Sequence, residues 1–160
     1  MATKYTVIKD TREQEGWFFT QTTACDGMVR EKLDTGDYSL KGYEELLAIE
    51  RKGKISEFAR NIVENRFERE LERLEDFDYP FMLLEFDMKD VLDYPRSSKL
   101  PNSKRRLTKV TGGFILKRII EFQIRYKTKI LLCGEEGWKV ALSIFKRVVE
   151  NESKKYREDS

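Results

Sequence analysis

The sequence contains no histidine among its 160 residues, and this absence excludes several classes of enzyme. Neither Ser-His-Asp nor Cys-His catalysis is available, and no zinc site can use imidazole ligands. Only two cysteines occur, Cys25 and Cys133, too few for a zinc cage and too far apart in sequence for a thiol motif. We expect both to be buried, reduced thiols. Any catalysis must therefore rest on carboxylates, lysines, tyrosines or a hard metal ion.

Long apolar runs are also missing. No uncharged apolar stretch approaches the roughly 20 residues that a membrane span needs, and the N-terminus lacks the apolar segment of a secretory signal. We therefore predict a protein with no membrane partner and an intracellular, cytoplasmic location. In a prokaryote it would be nucleoid-associated, and for a viral protein the host cytoplasm would be the site.

The composition is highly charged but suits a folded domain. Charged residues make up 38% of the chain and hydrophobic residues 39%, and the 12% aromatic content supplies large side chains for a core. The length predicts one domain, which we place at residues 1–150, followed by a charged C-terminal tail at residues 151–160.

Charge is unevenly distributed along the chain. Residues 1–93 hold 14 Lys/Arg and 22 Asp/Glu, whereas residues 94–160 hold 17 and 7. Residues 94–120 contain eight basic residues and no acidic residue. This asymmetry suits a carboxylate site for a divalent cation beside a surface for a polyanion. Interleaving of the two halves in the fold would cancel it, and composition does not decide between these alternatives.

Hydrophobic periodicity predicts an α/β fold: a central mixed β-sheet flanked by α-helices. The first four strands are expected to form an antiparallel meander, and the strands that alternate with helices later are expected to be parallel. Ser56 is the predicted N-cap of the first helix. Strands are predicted at residues 5–10, 28–33, 38–40, 46–52, 81–86 and 129–133, helices at 55–74, 114–126 and 138–148, and a long basic loop at 94–112.

Acidic residues and a lysine cluster around the predicted early strands. Asp37 follows a turn at Gly36, and Glu50 and Lys52 stand two apart on one strand, so their side chains share a face. We expect a neighbouring strand to bring Asp37 beside Glu50. On spacing alone, however, a surface cluster of salt bridges explains the pattern more readily.

The chemistry of this group suits phosphodiester hydrolysis. Two carboxylates can hold Mg²⁺ or Mn²⁺, which stabilises developing charge and lowers the pKa of a bound water. A nearby lysine can orient that water or neutralise charge on the phosphate. Two adjacent carboxylates without a cation resist joint ionisation, so the arrangement makes best sense with metal bound.

Three segments together resemble the nuclease domain of the XPF/Hef/Mus-type family of structure-specific nucleases. They are Ile8-Lys9-Asp10-Thr11-Arg12-Glu13, Gly36-Asp37-Tyr38 and Ile49-Glu50-Arg51-Lys52. The order of the remaining predicted elements also follows the family, so the resemblance covers roughly residues 5–150. It implies a restriction-endonuclease-like fold of the PD-(D/E)XK type.

The resemblance also implies roles for individual residues. Asp37, Glu50 and Asp10 match metal-site positions, and the cofactor is expected to be Mg²⁺ or Mn²⁺. Lys52 matches the catalytic lysine, and Arg51 the arginine that supports the phosphate or the site's carboxylates. Arg12 and Glu13 match first-motif positions whose roles are less defined, and Ser56 stands where the family has an Asp.

Eukaryotic and archaeal family members continue into a helix-hairpin-helix domain that grips DNA, and this sequence stops before one. We therefore expect a stand-alone nuclease domain in which basic residues supply the DNA affinity. A solvated loop and helix-surface ion pairs are the alternative explanations. The predicted DNA contacts are Arg12, Arg60, Arg66, Lys104, Arg105, Arg106 and Lys109.

Family members also work as dimers, so a homodimer is a further hypothesis. The last predicted helix carries an apolar face of Trp138, Ile144, Phe145, Val148 and Val149. That face serves either core packing alone or core packing together with a dimer contact.

The predicted function is that of a metal-dependent DNA endonuclease acting on branched, forked or flapped DNA in repair or recombination. Two alternatives remain: a catalytically inactive DNA-binding or dimerisation partner of a nuclease, and another PD-(D/E)XK restriction or recombination nuclease.

Overall fold

In a computed structural model, which describes residues 3–159, the chain forms a six-stranded mixed β-sheet with helices against both faces. The predicted fold class is thereby confirmed. The strands are β1 Tyr5–Lys9, β2 Cys25–Arg30, β3 Tyr38–Leu40, β4 Leu47–Lys52, β5 Tyr79–Leu84 and β6 Lys129–Leu132. The helices are α1 Ile55–Asn61, α2 Asn65–Leu74, α3 Met88–Leu92, α4 Asn102–Leu107, α5 Gly112–Arg125 and α6 Gly137–Asp159.

The strand order is β2-β1-β3-β4-β5-β6. β3 pairs antiparallel with β1 and β4, whereas β4, β5 and β6 are parallel, as expected for strands joined by helices. The prediction of an antiparallel meander is wrong for the first pair, because β1 and β2 are parallel.

A parallel β1–β2 pair needs a long crossover, and here it contains no helix. Trp17 and Phe19 from this connection are buried and pack against Tyr38 and Phe145. The Trp17 amide also donates a 2.7 Å hydrogen bond to the Tyr38 hydroxyl. These aromatic contacts cover the sheet where a crossover helix would otherwise lie.

Two helical predictions need correction. The segment predicted as one helix at residues 55–74 is divided into α1 and α2, and Ser56 lies inside α1. The N-cap of α1 is Lys54, whose side chain makes no capping bond. The break places buried Phe58 and Phe67 edge to face beneath the sheet.

The segment predicted as a basic loop is partly ordered structure. Residues 102–107 form α4, and buried Tyr94 and Ser98 anchor the preceding turns. At the C-terminus, residues 151–159 continue α6, so the predicted charged tail is helical over this range.

The core has two layers, one on each face of the sheet. α1, α2 and α5 cover one face, and α6 with the Trp17 segment covers the other. Cys25 is buried as expected, but Cys133 is only half-buried, and both are free thiols. β6 is an edge strand whose Lys129 and Leu131 are exposed, so it is less buried than predicted.

The two charge halves of the sequence meet between α2 and α5. Glu68 lies 2.8 Å from Arg125 and 3.8 Å from Arg118. Part of the basic excess is therefore neutralised within the fold. Within residues 3–159, no helix combines the length and the apolar character needed to cross a membrane.

Candidate active site

One edge of the sheet collects the acidic residues of separate segments. β1, β4 and β5 run in the same direction, so Asp10, Glu50 and Glu85 lie at or just beyond their carboxyl ends. β3 runs the opposite way, so Asp37 enters at the same edge immediately before its first residue. The topology thus brings together residues that are up to 75 positions apart in sequence.

Backbone pairing fixes Asp37 next to the end of β4. The Asp37 amide donates to the Ile49 carbonyl at 2.8 Å, and the Arg51 amide donates to Asp37 Oδ2 at 2.8 Å. Asp37 therefore contacts the residues on either side of Glu50. The positive φ of +88° at Gly36 lets the chain turn here, where a Cβ would lie 3.3 Å from the Ile49 carbonyl oxygen.

A cleft of about 380 Å³ opens at this edge. Its polar lining contains several of the site residues predicted from the sequence, together with polar residues that were not predicted. The lining residues include Arg12, Glu13, Gln14, Asp37, Glu50, Arg51, Lys52, Lys54, Glu57 and Asn61. A second opening also reaches Asp37 and Glu50 and adds Asp10, Glu70 and Arg73.

Lys52 lies on the same sheet face as Glu50, as the alternation of a strand requires. Its Nζ lies 3.9 Å from Glu50 Oε1 and 2.9 Å from Glu70 Oε2. Burial lowers the Lys52 pKa, but the nearby Glu50 and Glu70 carboxylates outweigh this effect and raise it. The lysine is therefore held as an ammonium group.

Arg51 points to the opposite face of the sheet. It forms an ion pair with Glu85, and its Nη1 lies 3.6 Å from Glu13 Oε2. The guanidinium also lies 6.0 Å from the centre of the Trp17 ring. Arg51 thus contacts Glu13, which lines the cleft, and Glu85, which lines a neighbouring hollow.

Asp10 is buried and its oxygens are already engaged. Oδ1 accepts from the Leu33 amide at 2.8 Å, and Oδ2 accepts from Arg12 Nε at 2.8 Å. Burial acts to raise the Asp10 pKa, but these two hydrogen bonds prevail and lower it. Asp10 is thus an ionised carboxylate that also orders the residues around the cleft.

Asp37 and Glu50 have the opposite electrostatic character. Burial raises the pKa of Asp37 to about 6, against the opposing hydrogen bond from the Arg51 amide. Burial also raises the Glu50 pKa, and the adjacent Asp37 carboxylate raises it further. Nearby Glu13 acts in the same direction on both groups. Without a cation, the two carboxylates resist simultaneous ionisation.

Across residues 3–159, no three cysteine or acidic side chains form a ready-made metal cage. Mg²⁺ does not require one, because it binds through one or two carboxylates and keeps several waters. Asp37 and Glu50 could hold such an ion, because both line the cleft and a cation would offset the repulsion between their carboxylates.

The predicted DNA-binding residues occupy different places. Arg12 lines the cleft and donates to the Leu33 carbonyl, while Arg60 and Arg66 are exposed on α1 and α2. Lys104, Arg105 and Arg106 lie on α4, with Lys109 just beyond it, and none of these four lines the cleft. Earlier in the predicted basic loop, Ser97, Ser98 and Lys99 line a hollow that shares Gly53 and Lys54 with the cleft.

Sequence reasoning missed several residues of the site. Glu70 and Glu85 contact Lys52 and Arg51 only because α2 and β5 pack beside β4, and no local pattern identified them. Ser56, which stands in place of the family's Asp, borders the neighbouring hollow, and Glu57 lines the cleft instead. The signal in the sequence that points to Glu57 is its position directly after Ser56.

The fold and the site together define an α/β domain with carboxylates and a lysine gathered at one sheet edge. The ERCC4 domain family model matches residues 9–136, which include Asp10, Asp37, Glu50 and Lys52. The chain belongs to the ERCC4 domain family, a family of structure-specific DNA nucleases that generally use divalent metal ions. The resemblance inferred from the motifs is thereby confirmed.

Solved structures show the same fold. XPF from Aeropyrum pernix is similar with a TM-score of 0.62 and 16% identity, over 89% of this chain and 60% of that one. XPF from Aeropyrum pernix in complex with DNA has a TM-score of 0.60 and 16% identity, over 93% of this chain and 66% of that one. The chain thus spans three fifths to two thirds of these structures. No curated protein matches the sequence.

Proposed function

We propose that this protein is a Mg²⁺- or Mn²⁺-dependent endonuclease that hydrolyses phosphodiester bonds in branched, forked or flapped DNA. The observation that carries the proposal is the pairing of Asp37 with Glu50 beside the Lys52 ammonium in one open cleft. Membership of a nuclease family and the similarity to an XPF solved with DNA also support it.

In this proposal Asp37 and Glu50 hold the cation, and Asp10 serves as a further acidic residue of the metal site. When bound, the ion supplies charge for the scissile phosphate and a water of lowered pKa. The Arg51 amide fixes the orientation of Asp37 through its 2.8 Å hydrogen bond. These contacts hold the Asp37 carboxylate toward the cleft before substrate arrives.

Lys52 places a positive charge next to the carboxylate pair, where it can orient the attacking water or neutralise the phosphate. Arg51 supports the site's carboxylates, since its own contacts are to Glu13 and Glu85. Arg12 and Lys54, at the mouth of the cleft, are placed to contact flanking phosphates.

The test is cleavage of linear duplex, flap, fork and Holliday-junction DNA with Mg²⁺, with Mn²⁺ and with a chelator. We expect Lys52→Ala to lower cleavage of the preferred substrate at least about a hundredfold while DNA binding is retained. Lys146→Ala is the matched control, because Lys146 is an exposed lysine on α6. A Lys52→Ala protein that cuts normally contradicts the proposal.

The substrate panel also separates the two alternative functions. Protein that binds fork DNA but never nicks it with Mn²⁺ would be a non-catalytic partner of a nuclease. Equal cleavage of linear and branched duplexes would instead indicate a restriction- or recombination-type PD-(D/E)XK enzyme. A role in repair or recombination and a cytoplasmic location stay predictions.

A homodimer is also part of the proposal, but not through the face first considered. Ile144, Phe145, Val148 and Val149 are buried against the sheet, and only Trp138 of that set is substantially exposed. The exposed apolar side chains of α5, Ile120 and Ile124, offer a different surface.

A further inference from the structure

The ammonium of Lys52 is held mainly by a residue outside the recognised motifs. Its nearest carboxylate is that of Glu70 on α2, at 2.9 Å, whereas Glu50 Oε1 lies 3.9 Å away. The Phe67 ring, also from α2, lies with its centre 5.6 Å from the same nitrogen. Both side chains of the Lys52–Glu70 pair are largely enclosed, with 13% and 19% of their surface exposed.

Glu70 is well placed to hold this contact rigidly. Buried Phe67, Leu71 and Leu74 anchor α2 to the sheet, so the helix that carries Glu70 is fixed by packing. Glu70 lies three residues after Phe67 and therefore on the same side of the helix. Its side chain borders the opening that also contains Asp37 and Glu50.

The contact matters because a lysine side chain is long and flexible. Four rotatable bonds separate its ammonium from the backbone, and a partner is needed to select one position. Glu50 cannot be the main partner, since it lies farther away and is proposed to hold the cation. Among the described residues, Glu70 makes its ion pair with Lys52 and with no other cation.

We propose that Glu70 is a positioning residue. It holds the Lys52 ammonium in the cleft, where the ammonium can orient the attacking water or neutralise the phosphate. This inference rests on the proposed nuclease function and deepens it. Glu70 acts through Lys52 and does not itself touch the substrate. Its effect should therefore depend on whether Lys52 is present.

The kinetic test uses Glu70→Ala and Glu70→Gln, with Glu72→Ala as the matched control on the exposed side of α2. We expect Glu70→Ala to lower kcat roughly ten- to hundredfold, the effect of a misplaced catalytic group, with KM unchanged. Glu70→Gln should recover most of this loss because its amide oxygen still accepts a hydrogen bond from Lys52. In a Lys52→Ala background, Glu70→Ala should slow residual cleavage no further.

A Glu70→Ala enzyme that keeps the wild-type kcat overturns the inference. So does a further loss of cleavage when Glu70→Ala is added to Lys52→Ala, because Glu70 would then act independently. Circular dichroism and thermal unfolding of each variant identify any loss that arises from misfolding. Where Glu70→Ala does not fold, the Lys52 signals of Glu70→Gln, described next, decide instead.

A second readout does not depend on activity. In protein labelled with ¹³C,¹⁵N-lysine, the Lys52 side-chain signals, assigned through Lys52→Arg, should shift in Glu70→Gln and stay unchanged in Glu72→Gln. Unshifted Lys52 signals in Glu70→Gln overturn the inference. Wild-type protein that cuts no DNA with either metal contradicts the proposed function instead, so the two failures are distinguishable.

Discussion

At the scale of single residues, Asp37 is expected to lower the stability of the folded protein, because the fold buries its carboxylate beside the cleft. Its pKa is raised from 3.8 to about 6, so the folded protein resists its ionisation more than the unfolded chain does. Without metal, the free energy of unfolding should therefore fall as pH rises from about 4 to about 6. At pH 7.5, Asp37→Asn should stabilise the fold by at most about 3 kcal/mol and abolish cleavage.

Thermal unfolding in chelator measures this effect, with Asp78→Asn as an exposed control. Millimolar Mg²⁺ should raise the unfolding temperature of the wild type and leave Asp37→Asn unchanged, because a ligand stabilises the state that binds it. With Mg²⁺ limiting, cleavage should increase with pH toward about 6, because the proton on Asp37 competes with the cation for the carboxylate. A wild type and an Asp37→Asn variant that unfold at the same temperature at pH 7.5 would contradict the assignment.

At the scale of secondary structure elements, α4 and Lys109, two residues beyond its end, form a basic surface. Lys104, Arg106 and Lys109 are exposed, and none of them forms an ion pair with another described residue. We expect their simultaneous replacement by alanine to weaken DNA binding and to reduce the slope of log K against log salt by about 2–3. Binding titrations at several salt concentrations measure this change.

The control for α4 is an alanine triple variant at Lys127, Lys146 and Lys154, exposed lysines outside that surface. It removes the same amount of charge, so it tests position and not net charge. Equal salt slopes for the two triple variants would show that α4 makes no specific contribution to DNA binding.

The start of α5 depends on a close approach to α3. A Cβ at Gly112 would lie 2.2 Å from the Val91 carbonyl oxygen, whereas one at Gly113 would have no atom nearer than 3.9 Å. Gly112→Ala should therefore destabilise the protein by about 1–3 kcal/mol through overpacking, and Gly113→Ala should not. Chemical denaturation of the two variants compares them directly, and equal midpoints would contradict this packing.

At the scale of the whole molecule, the exposed apolar side chains of α5 offer a candidate dimer contact. Ile120 and Ile124 stand four residues apart on one side of α5, and Ile124 is 79% exposed. We expect the wild type to sediment as a dimer at high micromolar concentration and Ile124→Lys to sediment as a monomer. Val63→Lys, at another exposed apolar position, should leave the dimer intact. A monomeric wild type removes the dimer hypothesis.

Local sequence signals predicted most elements because their periodicity reflects burial on one face. β1, β3, β4, β6 and α5 lie close to their predicted positions for this reason, and α6 begins where it was predicted. The break between α1 and α2 escaped prediction, since apolar residues repeat at helical spacing across it. The parallel pairing of β2 also escaped, because aromatic side chains cover the connection where a helix is usual.

The sequence by itself determined the chemical content of the site: two carboxylates and a lysine carried by motifs, with no histidine to offer another mechanism. It also determined that Glu50 and Lys52 share a face, because alternation along a strand is local geometry. Only the tertiary structure decided the electrostatics and the supporting contacts. The raised Asp37 pKa and the pairs Lys52–Glu70 and Arg51–Glu85 arise from burial and from packing between distant segments, which no local pattern encodes.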